Sequence, residues 1–149
     1  MTHDVLMTIA RLAAQHFNAR SASIALVEDK ELVFVAVGGP DVHRDLVGAR
    51  FPISEGIAGF VARSGEAVLS DDLEHETRFS EDIATATGFM PERILAVPLT
   101  HQGRTYGVLS VLDRATYNKP DEDLALATRF AAQAGVAAAA RTAALDITR

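Results

Sequence analysis

Between Asp4 and Phe17 the apolar residues Val5, Leu6, Ile9, Leu12, Ala13 and Phe17 return at three- and four-residue steps, which places them on one face of a helix. The period then shortens. SASIALVED and ELVFVAVGG are two β-rich runs around Asp29-Lys30, a connection short enough to make them antiparallel neighbours in a hairpin. After a polar loop, RFPI adds a short strand, and SEGIAGFVARSG reads as a short helix with Ser54 near its start and Gly65 just past its end. The run AVL is strand-like, and SEDIATATG has Ser80 as N-cap and Gly88 as stop. RILAVPLTH and TYGVLSVLD, joined through QGR, make a second hairpin. Its two alternating sets, Ile94, Ala96 and Pro98 against Leu95, Val97 and Leu99, are both apolar, so this hairpin must be covered on both faces. The last element opens at Pro120 with Asp121, Glu122 and Asp123, which suit the positive end of a helix dipole, and runs to about Leu145. The pattern predicts an α+β, three-layer domain: an antiparallel sheet of about five to six strands, flanked by a helix from each end of the chain and by two shorter helices from its middle.

Composition narrows the chemistry. At 149 residues the chain is the size of one domain, and we expect a single domain over 1–149 with its core at about 20–141. A formal charge of -6 with no run of Lys or Arg argues against a nucleic-acid surface and against an anionic membrane. No stretch reaches the length of an apolar membrane span, and the N-terminus lacks the layout of a secretory signal, so a cytoplasmic location is expected. The absence of cysteine removes disulfides, thiolate metal sites and a thiol nucleophile.

Three longer stretches carry a resemblance. FPISEGIAGFVARSGEAVLSDDLEHETRF, ERILAVPLTHQGRTYGVLSVLDR and YNKPDEDLALATRFAAQAGVAAAAR together resemble the GAF domain, a small-molecule-binding sensory module of signalling proteins. The matching marks are Gly56, Gly59 and Gly65, Asp71-Asp72 with Arg78-Phe79, Ala96 to Leu99, Gly107-Val108-Leu109, and Tyr117 with Asp121. The resemblance implies terminal helices on one face of the sheet and, on the other, a ligand pocket roofed by the two middle helices and the loops around them. Relatives that fix a bilin or reduce methionine sulfoxide do so through cysteine, which this chain lacks. Haem-binding members carry a ligating histidine before the V-P strand, where this chain has GFMPERILAVPL. YNKPDED echoes the letters of the cyclic-nucleotide-binding N-K-x-F-D-E set without its spacing.

The acidic stretch DDLEHETRFSED offers hard oxygen ligands in Asp71, Asp72, Glu74 and Glu76, but it lacks the spacing of a calcium loop, and Phe79 stands where a zinc-protease motif needs its second histidine. A solvated pocket rim, anchored by Leu73 and Phe79, is the expectation. Among the histidines, His3, His16, His43 and His101 read as surface residues, whereas His75 falls on the rim. There is no G-x-S-x-G; Ser54, Ser70 and Ser80 read as cap or turn residues. Gly56 and Gly59 serve either helix N-terminal amides facing an anion or close packing.

The expected function is a non-catalytic sensory or regulatory domain that binds a small molecule and relays the event through its terminal helices. The alternative is a ligand-free dimerisation module, with a haem sensor or an enzyme behind both. The expected ligand site is Phe34, Ile53, Ile57, Asp72, His75, Phe79, Ile83, Met90 and Leu95, with no metal and no cofactor; Ser110, Thr87 and Asp72 supply inward polar groups. The expected partners are an unidentified small molecule, an output domain, fused or separate, and a second copy of the chain. That copy is expected to dock through Ile9 and Leu12 of the first helix and Ala127, Ala131, Ala134 and Ala138 of the last, since small side chains allow close helix approach.

Overall fold

A computed structural model describes the chain except for residues 1, 42–43, 81, 84–89, 116–118 and 149; the side chains of 2, 3, 44 and 146–148 also lie outside the description. The elements are α1 (Thr2–His16), β1 (Ser21–Glu28), β2 (Glu31–Gly38), β3 (Arg50–Pro52), α2 (Gly56–Ser64), β4 (Val68–Ser70), β5 (Ile94–His101), β6 (Arg104–Leu112) and α3 (Pro120–Thr148), with 3-10 turns at Arg44–Leu46 and Leu73–His75. The strands form one six-stranded sheet in the order β3-β2-β1-β6-β5-β4. Each neighbouring pair is antiparallel.

Local chemistry accounts for the punctuation. The β5–β6 hairpin turns on Gln102 and Gly103, both at positive φ, the geometry that matches the twist of the flanking strands. The β1–β2 turn places Asp29 at φ 57°, a conformation Asp tolerates better than most residues. α2 ends as expected at Gly65, which is left-handed at φ 71° and donates its N–H to the Val61 carbonyl. Its start differs: the N-cap is Glu55, not Ser54, and makes no side-chain cap bond. Ser80 does cap, its Oγ accepting the Ile83 N–H. Asp82 and Ile83 are helical, while the rest of that expected helix, with Thr87 and Gly88, lies outside the described residues, as do His43 and Tyr117.

The sheet separates two cores. On one face Ala22, Ile24 and Leu26 of β1, Leu95, Val97 and Leu99 of β5, and Leu109 and Val111 of β6 pack under α1 and α3. On the other Ala25, Leu32, Val68, Ile94, Ala96 and Val108 pack with α2 and Leu73. A bulge opposite Ile24 and Ala25 adds one residue to β2, so Val35 and Ala36 both serve the helix face while Phe34 stays on the other. α3 approaches the sheet very closely. A Cβ on Gly135 would stand 2.5 Å from the Thr100 carbonyl oxygen, so only glycine fits there.

That approach corrects one expectation. Ala127, Ala131, Ala134 and Ala138 are buried with Ile9 in the core beneath the helices. The alanine bias brings α3 down onto its own sheet, and the stripe is not open to a second copy. Leu12 is exposed, together with Val5, Val136 and Leu145.

Candidate functional site

The face opposite the terminal helices holds a cavity of about 120 Å³. Its floor is the sheet: Ser21 and Ser23 of β1, Leu32 and Phe34 of β2, Ile94 of β5, and Ser110 and Leu112 of β6. Strand alternation sets this pattern, since Ser23 is the cross-strand neighbour of Ser110, and Ser21 that of Leu112. Ile57 and Ala58 of α2 form the roof, Phe79, Ser80 and Ile83 one wall, and Leu46, Phe51 and Pro52 another. Phe34 and Phe51 meet edge to face at 5.8 Å. Gly56, Pro91 and the exposed Asp41 and Glu55 complete the described lining. α2 keeps its place because Gly59 lies against the Ile53 carbonyl, which also accepts a hydrogen bond from Arg63, so close packing is the use of Gly59.

Of the residues expected here, Phe34, Ile57, Phe79 and Ile83 line the cavity, and so does Ser110. Leu95 does not: it lies fully buried beneath the helices, and its neighbour Ile94 takes the wall position. Because both alternating sets of this strand are apolar, period two could not say which set faces the roof. Ile53 contributes its backbone to α2 packing and is absent from the described lining, as are Asp72, His75 and Met90. Met90 is 53% exposed. Asp72 and His75 face solvent and bond each other, Nδ1 lying 2.9 Å from Oδ2. With Glu74 they bring a ligand atom each within 4.8 Å of one another, an exposed acidic group of the kind common without an ion.

The groups that hold the rim are others. Arg114, at 2% exposure the largest fully buried side chain, donates from Nε to Asp123 Oδ2 at 2.7 Å and from Nη1 to Asp71 Oδ1 at 2.8 Å. It ties the segment after β4 to the first turn of α3. Burial works to lower its pKa, but the hydrogen bonds it donates to Asp71 and Asp123, with the charge of those carboxylates, outweigh that and leave it raised above the ordinary arginine value. Asp113, beside it, accepts the backbone N–H groups of Glu92 and Arg93 at 2.8 and 2.9 Å. Its other oxygen receives Arg20 Nη1 at 3.3 Å, and Arg20 Nε reaches Asp41 of the cavity lining at 2.7 Å. The carboxylate that fixes backbone at the rim is therefore Asp113, whereas the side chain of Asp72, expected to turn inward, bonds only the exposed His75 among the described residues. Glu76 accepts Arg78 Nε at 2.5 Å, which holds its carboxyl below the usual glutamate value, and the Arg78 guanidinium lies over the Phe60 ring.

Sequence reading missed Arg20, Asp113 and Arg114. The one available signal was the pair Asp113-Arg114, charged and placed directly after an apolar strand.

A sheet with its terminal helices on one face and a polar-floored cavity beneath short helices on the other defines a regulatory and sensory domain class that binds small molecules. A sequence model described as GAF domain matches residues 2–139. The chain belongs to the GAF domain family. It is 29% identical over 131 residues to the probable 3',5'-cyclic phosphodiesterase pde-5 of Caenorhabditis elegans, a match covering 80% of this chain and 18% of that protein. The chain thus spans under a fifth of that relative's length. The GAF domain of a phosphoenolpyruvate-protein phosphotransferase from Coxiella burnetii shares the fold at TM-score 0.84 and 20% identity, covering 95% of this chain and 84% of that one. The free methionine-R-sulfoxide reductase of Neisseria meningitidis, an enzyme, does so at TM-score 0.71 and 20% identity, covering 95% of this chain and 81% of its own. No helix among the described residues is long and apolar enough to cross a membrane.

Proposed function

We propose that this GAF domain is a non-catalytic sensor that binds a small molecule in the cavity above Ser23 and Ser110 and passes occupancy to α3. The observation that carries this reading is the cavity itself, an opening left between sheet and roof with three serine hydroxyls on its floor. Arg114 supplies the relay. Ligand that moves the segment after β4 changes the Asp71 contact, and the same guanidinium holds Asp123 at the start of a 29-residue helix. A rigid helix carries such a displacement to whatever output domain it joins. Native mass spectrometry of freshly purified protein tests the reading: a retained mass that leaves on denaturation supports it. A bare chain whose melting temperature no small molecule raises would leave the dimerisation module instead.

A homodimer through the helix layer is the second reading, favoured by the apolar residues Val5, Leu12, Val136 and Leu145 exposed on the outer sides of α1 and α3. An α-helix apolar on its outward as well as its inward side is suited to cover on both. Val136→Glu, in place of any change in the buried alanine stripe, should convert a dimer to a monomer in sedimentation equilibrium. A wild-type monomer at tens of micromolar removes this reading.

A further inference from the structure

The cavity floor carries an unusual polar feature. Ser21, Ser23 and Ser110 are 8%, 5% and 8% exposed, and among the described residues their hydroxyls make no protein hydrogen bond but open onto the cavity, Arg93 Nε being the sealed side-chain atom left without a partner. Hydroxyls that open onto a cavity are satisfied by water or by a ligand that takes the water's place. Three of them gathered on adjacent strands make a patch that both donates and accepts.

Charge limits what can enter. Among the described lining residues there is no Lys, Arg or His, and the two charged ones are the carboxylates Asp41 and Glu55. Among the described lining residues an anion would find no cationic side chain and would face the carboxylate of Glu55, which disfavours it. Size limits it further. The cavity of about 120 Å³ opens to solvent and is comparable with an enclosed apolar cavity of about 150 Å³ that accommodates benzene, so a single ring fits with its edge at the opening. A nucleoside cyclic phosphate carries the disfavoured charge. The aromatic walls Phe34, Phe51 and Phe79 favour a ring.

Building on the ligand-pocket reading above, we propose that the cavity takes an uncharged, single-ring aromatic molecule of about the size of phenol, with its hydrogen-bonding group on the hydroxyls of Ser23 and Ser110. The ring fills the space between Phe34, Ile57 and Phe79, and the polar group replaces the water that otherwise satisfies the serines.

The test is calorimetric titration of the chain with phenol, toluene, benzoate and cyclic GMP, repeated on Ser110→Ala and Ser23→Ala. Phenol should bind about tenfold more tightly than toluene, the worth of one net hydrogen bond, and more tightly still than benzoate. Either serine variant, its fold checked by circular dichroism, should bring phenol down to the toluene level. Tighter binding of benzoate or cyclic GMP overturns the ligand class and leaves the pocket reading standing. Equal phenol and toluene affinities, unmoved by both substitutions, mean the serines are merely hydrated and overturn the proposal. So does failure of all four probes. In that case the retained mass in native spectrometry decides separately whether the pocket holds any ligand.

Discussion

The two faces of one sheet solve different problems. Beneath α1 and α3 the surface is closed: Leu95, Val97, Leu99, Leu109 and Val111 interlock with alanines, and the Gly135 backbone rests on Thr100. On the other face alternate residues of the same strands include Ser23, Ala25, Ala96 and Ser110, small side chains that leave a cavity. That side is held by a smaller apolar core under α2 and by ion pairs around its edge, through Arg20, Asp113 and Arg114. Close packing is hard to deform and suits a platform, whereas a rim held by a few directional charge contacts can shift between discrete arrangements.

The strongest way to break the contrast is Arg114→Ala. It strands Asp123, 3% exposed, without its partner, and should destabilise the domain by about 3–5 kcal/mol in urea unfolding. The double change Arg114→Met with Asp123→Leu should recover most of that loss, because the pair's net worth is small once neither charge is buried alone. On the closed face Gly135→Val should cost about 1–3 kcal/mol, since α3 must lift from β5 to admit the side chain. An unaltered melting temperature there would show that the helix contact is slack.

At the rim, Asp113→Ala should cost about 1–2 kcal/mol by leaving the Glu92 and Arg93 N–H groups without their acceptor, whereas Asp72→Ala, which removes only an exposed contact with His75, should cost under about 0.5 kcal/mol. Equal losses at the two positions would contradict the assignment of Asp113 as the anchor. On the open face Ser23→Ala should change stability by no more than about 0.5 kcal/mol in either direction, because the hydroxyl bonds nothing in the protein. The smallest effect is that of Glu76. Hydrogen bonding to Arg78 lowers its folded pKa below the ordinary 4.5, so its contribution is fully present above that value and fades as pH falls through the lowered folded one. Melting temperatures of the wild type and Glu76→Gln should converge below that window and separate above it.

Much of this architecture was legible along the chain. Local rules reach across a few residues, and the two hairpins, the Gly65 stop, the Ser80 cap and the Pro120 start are all local. So was the general place of the cavity, with Phe34, Ile57, Phe79 and Ile83 on its walls. The errors fell where a choice depended on distant parts. Leu95 and Ile94 are equally apolar, and only the positions of the helices and the roof decide which faces which. A stripe of alanines fits its own sheet as well as a second copy, and the close approach at Gly135 decided for the sheet.

The sequence by itself determined the elements, their order and the need to cover both sides of the sheet, because turn chemistry and side-chain periodicity act between near neighbours. Only the tertiary structure decided which carboxylates hold the rim. Asp72 and Asp113 are both acids that follow strands, and nothing local separates them. Asp113 becomes the anchor because antiparallel pairing of β5 with β6 brings Glu92 and Arg93 to its side chain, while Arg20 arrives from just before the neighbouring β1. Arg114 could be recognised only once Asp71 and Asp123, 43 and 9 positions away along the chain, stood on either side of it. Such contacts are made by the closing of the fold, since charges far apart in the sequence interact strongly only when folding removes both the distance and the water between them.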